Sequence, residues 1–270
     1  MPVQNDLFTP ANFQDTTAHL INTRRNHDCL EADDIDFEMQ YAKREDKMML
    51  RWLSQDGLEH FVRKYGRTYQ ILRLDSCTRI KDFSPLSDLP NLEAICIDWC
   101  KNSVLWDMSR NDNLKILSLS NCKKLTYAPQ LLETGKTLEE VRFWGPTSGS
   151  TYPMATLDCF RNMDALRRID LNWVSLADKS LGFLETLPNL EEFHFDAGML
   201  TTEEIAFIVA RYPNLYGQCL GPYDDTYMHL GQVRVCGNRK PTLQLPKHQK
   251  RLDDYIRQFH NLVEQYRSSI

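Results

Sequence analysis

The stretch YQILRLDSC, residues 69–77, recurs in altered form as LEAICIDWC at residues 92–100 and LKILSLSNC at residues 114–122. In each copy the first, fourth and sixth residues are apolar or aromatic and the ninth is cysteine. This alternation has the period of a β-strand with one buried face. One short strand cannot bury that face alone, but stacked copies form a parallel sheet over a continuous core. The three copies therefore predict a sheet built by repetition.

Looser copies of the pattern continue along the chain. They begin at Leu138, Leu166 and Leu190, a degenerate copy begins at Leu215, and successive copies from residue 69 to residue 190 start 22 to 28 residues apart. That spacing is the period of a leucine-rich repeat. Many such repeats have Asn at the ninth position, whereas the first three copies here have cysteine, a small residue with a weak S–H donor.

The repeats resemble those of bacterial leucine-rich repeat proteins of the short, internalin-like type. The resemblance covers residues 68–222 and rests on the strand pattern and on Pro-Asn-Leu segments beginning at Pro90, Pro188 and Pro213. It implies an α/β leucine-rich repeat solenoid of six to seven repeats. In that fold a curved parallel sheet lines the concave side, and loops, 3-10 turns and helices form the convex side.

Both ends of a solenoid expose apolar surface and need caps. Residues 1–67 are predicted to form an N-terminal segment and helical cap. The opening stretch to about Asp36 is polar and irregular. Residues with helical spacing precede Gly66, at Leu58, Phe61 and Val62, and a further helical face is suggested just before them by Met49, Trp52 and Leu53.

Residues 223–270 are predicted to form the C-terminal cap. Residues 232–236 and 242–245 have strand patterns, and an apolar stripe follows Pro246, so we expect a β-hairpin and an amphipathic helix. Positive charge is concentrated here, at Arg234, Arg239, Lys240, Lys247, Lys250 and Arg251. The cluster is typical of a solvated helix face, with a site for an acidic partner or a phosphate as the alternative.

Cysteine usage and charge narrow the class of protein. Three of the eight cysteines, Cys77, Cys100 and Cys122, occupy equivalent turn positions, which predicts buried thiols instead of disulfides and favours the cytoplasm. The sequence has no Cys-x-x-Cys pair, so neither a metal site nor a cofactor is expected. The net charge of −5 argues against nucleic acid and anionic membranes as partners. Neither a membrane-spanning run nor a secretory signal is expected.

No sequence pattern indicates catalysis. The nucleophile elbow, the Walker loop, the dinucleotide fingerprint and the His-Glu-x-x-His motif are all missing from the sequence. Some bacterial leucine-rich repeat proteins carry a cysteine-dependent ubiquitin ligase domain, but the tail with Cys236 is too short for one. We therefore expect a protein that is not an enzyme.

The residues between the strand leucines face away from the core and define the candidate binding surface. Tryptophan is enriched at binding hot spots, and carboxylates suit a partner that presents Lys or Arg. The candidate partner-binding residues are Arg73, Asp75, Asp98, Trp99, Arg142, Trp144, Asp170, Asn172, Trp173, His194 and Asp196. Local packing of the tryptophan rings over the repeat edge is the alternative interpretation of these residues.

These features predict a scaffold that binds a protein or peptide, with basic residues, on a concave face rich in Trp and Asp. Two other roles are compatible with the same surface. One is a cytoplasmic neutraliser of a basic toxin or enzyme, and the other is a secreted effector that acts by protein binding. The sequence does not indicate the oligomeric state.

Overall fold

The computed structural model describes residues 19–20, 29–40, 46–146 and 150–269. Its helices and strands are, in chain order, β1 (His19–Leu20), α1 (Ala32–Glu38), β2 (Lys47–Arg51), α2 (Gln55–Tyr65), β3 (Ile71–Asp75), β4 (Ala94–Asp98), β5 (Ile116–Ser120), α3 (Lys123–Tyr127), β6 (Glu140–Trp144), β7 (Tyr152–Met154), β8 (Arg168–Asn172), β9 (Val174–Leu176), β10 (Glu192–Phe195), α4 (Thr202–Arg211), β11 (Tyr223–Asp224), β12 (Gln232–Val235), β13 (Thr242–Gln244) and α5 (Gln249–Arg267).

Eight strands form one parallel sheet in the order β1-β2-β3-β4-β5-β6-β8-β10. Neighbouring strands pair without a slip in register, so that Leu72, Ile95, Leu117, Val141 and Ile169 form one row across the sheet. All five side chains are buried, because alternate residues of each strand point toward the core. The predicted α/β fold with a parallel repeat sheet is confirmed.

Short 3-10 turns return the chain beneath the sheet, at Ser84–Asp88, Leu132–Thr134, Asp158–Phe160 and Gly182–Thr186. The core fills the layer between these turns and the strands. There the rings of Phe143, Phe160, Phe183 and Phe193 follow one another at centroid distances of 5.7, 6.3 and 5.9 Å. Because each ring contacts the next, the core is continuous from repeat to repeat.

The helical face predicted around Met49 is wrong, because this segment is strand β2. β2 pairs in register with β3, and Met48 and Leu50 are fully buried. The spacing Met48-x-Leu50-x-x-Leu53 matches the fourth, sixth and ninth positions of the repeat pattern. Repeat structure therefore begins before residue 68. Met49 on the opposite face is also buried, which hid the alternation in the sequence.

The predicted irregular stretch up to about Asp36 contains helix α1, while residues 1–18 and 21–28 of that stretch lie outside the described residues. Asp36 joins α1 to α2. Its carboxylate lies 2.7 Å from His60 Nε2, accepts a hydrogen bond from the Tyr65 hydroxyl at 2.7 Å, and pairs with Lys64 Nζ at 2.6 Å. These contacts, His60 foremost, lower the pKa of Asp36 well below its usual value.

In the turns, cysteine thiols form hydrogen bonds with backbone groups, as the Asn side chains of other leucine-rich repeats do. The Cys77 thiol donates to the carbonyls of Leu50 at 3.5 Å and Asp75 at 3.3 Å. The Cys122 thiol donates in the same way to Ile97, one repeat back, at 3.3 Å. Burial raises the pKa of Cys77 to about 12. A thiol in this environment is a structural donor and not a nucleophile.

The C-terminal unit has its own small sheet, with β11, β12 and β13 antiparallel, and its own core around Val233, Val235, Leu243 and Leu252. Phe259 and Val263 of α5 join the main core instead. The unit therefore packs onto the last repeat through α5. Among the described residues, no helix has the length and apolar character needed to cross a membrane.

Candidate interaction surface

The face of the main sheet that points away from the core, predicted above to be concave, is called here the outer sheet face. Its central column consists of Arg73, Cys96, Ser118, Arg142, Asp170 and His194. A second column, at the strand ends, consists of Arg51, Asp75, Asp98, Ser120, Trp144 and Asn172. Trp99, Trp173 and Asp196 come directly after their strands. The structure thus brings all the candidate residues to one surface.

Between β3 and β5 the outer sheet face is small and apolar. Ala94 and Cys96 are buried there, with Ile71 and Ile116 packed against them. Arg73 and Ser118 lie on either side of Cys96 in the central column. Because Ala94, Cys96 and Ser118 are buried, this patch offers a partner little accessible surface.

Ion pairs flank the apolar patch at the strand ends. Arg51 contacts Asp75 at 2.5 Å, and Arg73 contacts Asp98 at 3.1 Å. Asp98 also accepts a hydrogen bond from Asn121 at 2.9 Å. Burial nevertheless raises the pKa of Asp98, with Asn121 and Arg73 acting in the opposite direction. The aspartates that the sequence offered to a basic partner are already bound to arginines of this chain.

Between β6 and β10 the outer sheet face carries a network of charges centred on Arg168. Arg168 contacts Glu192 at 2.9 Å, Glu140 at 3.1 Å and Asp170 at 3.6 Å. Glu140 also contacts Arg142 at 2.6 Å. One guanidinium therefore compensates three carboxylates that belong to three strands.

His194 extends this network toward the last repeat. Its Nε2 lies 2.8 Å from Glu192, and its Nδ1 accepts a hydrogen bond from the Gln218 backbone N–H at 3.4 Å. Beside it, burial raises the pKa of Asp170, while His194, the neighbouring arginines and the Trp144 indole lower it. Asp170 therefore belongs to the network instead of standing free for a partner.

One backbone position recurs at the rim where the strands end. Trp52, Ser76, Trp99, Asn121 and Trp173 each follow a strand and each have φ between 54° and 58°. This left-handed conformation is unfavourable for side chains other than Gly, Asn or Asp. It is held by inter-repeat hydrogen bonds, such as that from the Trp99 N–H to the Ser120 carbonyl at 3.0 Å. The rim therefore fixes the direction in which three tryptophans leave the backbone.

The three predicted tryptophans differ in exposure. Trp99 is 51 % exposed. Trp144 is half-buried and lies in the second column, one position before the rim, with a buried indole nitrogen. Trp173 is half-buried and lines two neighbouring cavities. Local packing thus applies to Trp144 and partly to Trp173, whereas Trp99 stands free. Trp52, for which the sequence predicts a helical face, occupies the same rim position.

A cavity of about 200 Å³ lies at the C-terminal end of the outer sheet face. Asp170, Asp196, Asp224, His194 and Arg234 line it. Asp196 accepts the backbone N–H of Trp173, and burial raises its pKa. Among the described residues, no group of His, Cys, Asp and Glu has an arrangement suited to a metal ion.

The sequence analysis missed several exposed apolar side chains near the last repeat. They are Tyr216, Tyr227, Met228 and Leu230, of which Tyr227 lines the cavity. The Tyr216 ring contacts His194 edge-on at 5.7 Å. The density of aromatic and Met residues between residues 216 and 230 is the available signal, but the predicted boundary between repeats and cap at residue 222 divides it.

The basic C-terminal cluster is dispersed over the hairpin and α5. Lys240 and Arg251 both lie over the Tyr255 ring, at 5.3 and 5.8 Å from its centroid. Cations over an aromatic face are stabilised locally. Lys240 and Arg251 thus have a structural role beside Tyr255.

No protein-family model matches the chain, and no curated protein matches it. Among solved structures, 28 chains match. One of them is described as the crystal structure of a TLR13–ssRNA13 complex, with 17% sequence identity and a TM-score of 0.55. The match covers 68% of this chain and 26% of that chain. At this identity the likeness shows the fold alone, and that fold is leucine-rich-repeat-like.

Proposed function

We propose that this protein is a non-catalytic scaffold that binds a protein partner on the outer sheet face. The leucine-rich-repeat-like fold supports an interaction role. The observation that carries the proposal is the left-handed rim with its exposed Trp99. A large aromatic side chain held in an unfavourable backbone conformation costs stability, and such strain is characteristic of functional positions. Tryptophan in a fixed direction is also a typical binding anchor.

The surface favours an aromatic and apolar mode of recognition. Three of the carboxylates expected to attract a basic partner, Asp75, Asp98 and Asp170, are paired with Arg51, Arg73 and Arg168. This weakens the charge argument for a neutraliser of a basic toxin. The partner should instead cover Trp99 and the apolar residues near Tyr216 and Tyr227, with hydrogen bonds at the edge.

Several narrower expectations remain proposals. Eight free cysteines, of which six are buried, support residence in the reducing cytoplasm. The internalin-like, bacterial character of the repeats rests on the sequence. We also propose that α1 with α2, and the C-terminal unit, cap a solenoid, because both cover the ends of the repeat core.

The test compares two exposed aromatic residues in the full chain. Trp99→Ala removes the rim anchor, and Tyr127→Ala removes a ring of similar exposure, 49 % against 51 %, at the end of α3 on the return side. Tagged proteins are used for affinity purification from the native cell, with quantitative mass spectrometry. We expect partner recovery to fall by roughly 30-fold for Trp99→Ala, the loss of a hot spot of about 2 kcal/mol, and to be unchanged for Tyr127→Ala.

Equal recovery by both variants, with native circular dichroism, would remove the outer sheet face from consideration. RNA in the eluates is sequenced in parallel. The expectation that nucleic acid is excluded rests on net charge alone, so nuclease-sensitive recovery would overturn a protein partner.

A further inference from the structure

Three cysteines occupy one position in three successive repeats and are called here the cysteine ladder. Cys77, Cys100 and Cys122 each lie two residues after the end of a strand, and those strands, β3, β4 and β5, pair in register. Neighbouring members of the ladder are therefore about one strand spacing apart, ~5 Å between Cα atoms. This separation is within the range that a disulfide spans.

Cys100 differs from the other two members of the ladder. Cys77 and Cys122 are fully buried, and each thiol donates to two main-chain carbonyls. Cys100 is partly exposed, and its thiol donates to no main-chain carbonyl of the described residues. Its sulfur is instead in hydrogen-bond contact with the Cys122 thiol and with the main-chain N–H of Asn102. Cys100 is thus not held in place as a structural donor.

The two thiols in contact have opposite acid strengths. Contact with the Cys122 thiol lowers the pKa of Cys100, and the Asn102 N–H acts in the same direction against the effect of burial. Burial raises the pKa of Cys122 well above its usual value. Cys100 is therefore the better thiolate, while Cys122 keeps its proton beside it. A nucleophilic cysteine next to a second, resolving cysteine is the arrangement of a reversible oxidation site.

The same chain contains two natural comparisons for this pair. Cys159 is partly exposed like Cys100, but burial raises its pKa to about 12. Cys219 and Cys236 are in contact like Cys100 and Cys122, but both are buried, and contact with Cys236 raises the pKa of Cys219. The structure describes all eight cysteines, and the pair in the ladder alone combines exposure, a favoured thiolate and a second thiol.

We propose that Cys100 and Cys122 are an oxidation site at which hydrogen peroxide converts two thiols into a disulfide. The Cys100 thiolate attacks one peroxide oxygen, the O–O bond breaks, and the leaving hydroxide takes up a proton to give water. The Cys122 sulfur then attacks the sulfur of the Cys100 sulfenic acid, and its proton leaves with the hydroxyl group as a second water. Two thiols are oxidised and one peroxide is reduced to two waters.

Oxidation would change the hydrogen bonds beside the rim. A disulfide sulfur carries no hydrogen, so the carbonyls of Ile97 and Ser120 lose the Cys122 donor. The Ser120 carbonyl is also the acceptor of the Trp99 N–H, at 3.0 Å. The site therefore lies next to the rim, but its chemistry does not depend on the scaffold proposal.

The test treats the reduced, unmodified full chain with hydrogen peroxide under native conditions and blocks the remaining thiols by alkylation. Digestion with trypsin and a protease that cleaves before Asp places Cys100 alone in residues 98–101 and Cys122 alone in residues 116–123. Mass spectrometry should find these two peptides linked, and dithiothreitol should separate them. Cys219 and Cys236 should stay reduced, because peroxide does not reach them.

Reaction rates and variants assign the roles of the two thiols. Before oxidation, iodoacetamide should modify Cys100 at least about 10-fold faster than Cys159, because the thiolate is the reactive form. Cys122→Ser should leave Cys100 as a sulfenic acid that dimedone traps. Cys100→Ser should leave Cys122 reduced, and Cys159→Ser, the matched control, should form the link at the normal rate.

Several results would overturn the proposal. They are a link from Cys100 to Cys77, a link that forms only in urea, equally fast oxidation of Cys219 with Cys236, and no link in a chain whose circular dichroism is native. Equal alkylation of Cys100 and Cys159 would also overturn it. If Cys122→Ser does not fold, these measurements on the unmodified chain decide by themselves.

Discussion

The two halves of the outer sheet face are built on one backbone and carry different chemistry. Strands β3 to β5 present a small apolar patch around Cys96, with single Arg–Asp pairs at the strand ends. Strands β6 to β10 present a network in which Arg168 compensates three carboxylates. The core-facing rows are equally apolar in both halves. The core therefore determines the strand register, and the residues between are free to diverge.

The difference has an energetic consequence. Removal of the arginine from an isolated ion pair costs little stability when the remaining carboxylate keeps other hydrogen bonds. A network with one shared cation loses three contacts when that cation is removed, and Arg142 and His194 then remain for Glu140 and Glu192 only. The C-terminal half should thus tolerate charge substitutions less well than the N-terminal half.

The largest effect is expected for Arg168→Ala. Its side chain is 24 % exposed, and its removal leaves Glu140, Asp170 and Glu192 without their shared cation. We expect the free energy of unfolding to fall by about 3 kcal/mol, at the low end for a broken buried pair. Urea unfolding followed by circular dichroism measures this.

Two control substitutions are compared with Arg168→Ala. Arg167→Ala removes an exposed pair with Glu191 one residue away and should cost under about 1 kcal/mol. Arg73→Ala, in the other half, leaves Asp98 with the hydrogen bond from Asn121, and should fall between the two. Equal losses for Arg73→Ala and Arg168→Ala would mean that the halves do not differ in their dependence on charge.

A smaller loss is expected for Gly145→Ala, where the rim of β6 meets that of β8. A Cβ on Gly145 would lie 2.2 Å from the Trp173 carbonyl oxygen, so the two backbones must separate. We expect a loss of about 1–3 kcal/mol, the usual range for overpacking. Gly198→Ala is the matched control, because its Cβ would meet open space. Comparable losses for both would show that backbone freedom, and not close approach, matters at Gly145.

The sequence predicted the fold well because its signal is redundant. Several copies of one spacing agree, and each row of buried leucines confirms its neighbours. Strand β2 was missed because both of its faces are buried, so Met48, Met49 and Leu50 form a continuous apolar run. A buried run of this length does not distinguish strand from helix.

The sequence predicted where the candidate residues lie, but not that their carboxylates are paired with arginines. Alternation alone placed Asp75, Asp98 and Asp170 on the correct face. The arginine partners of Asp75 and Asp98, Arg51 and Arg73, lie 24 and 25 residues away along the chain, so these pairs depend on strand register and on rotamers. The partner of Asp170 is Arg168, on the same strand. The left-handed rim also has no sequence signature, since tryptophan is not a residue that predicts positive φ.

The pH dependence of stability should change in opposite directions for two aspartates. Burial raises the pKa of Asp170 in the folded state, so its contribution is present below the usual Asp pKa and is lost as the pH rises through the raised value. Its contacts, His60 foremost, lower the pKa of Asp36, so its contribution is present at neutral pH and is lost as the pH falls below about 4.

Asp170→Asn should therefore improve stability at pH 7 relative to pH 4, compared with the unmodified chain. Asp36→Asn should lower stability at pH 7 and have little effect in strong acid. The midpoints of urea unfolding, measured from strong acid to pH 7, test both expectations. Parallel shifts of the two variants would show that the charge network and the α1–α2 contact are not electrostatically distinct.

The smallest stability change separates the two rim tryptophans. Asn121 occupies the rim position after Trp99 with φ of 54°, so Asn is suited to this conformation. Trp99→Asn should raise the free energy of unfolding by up to about 1 kcal/mol through relief of backbone strain, since the Trp99 ring is half in solvent. Trp99→Val, β-branched in the same conformation, should lower it. Trp173→Asn should also lower it, because that ring lines two cavities and is half-buried. If Trp99→Asn loses stability as Trp173→Asn does, the Trp99 ring is packed against the chain, and it is not the free anchor that a partner would bind.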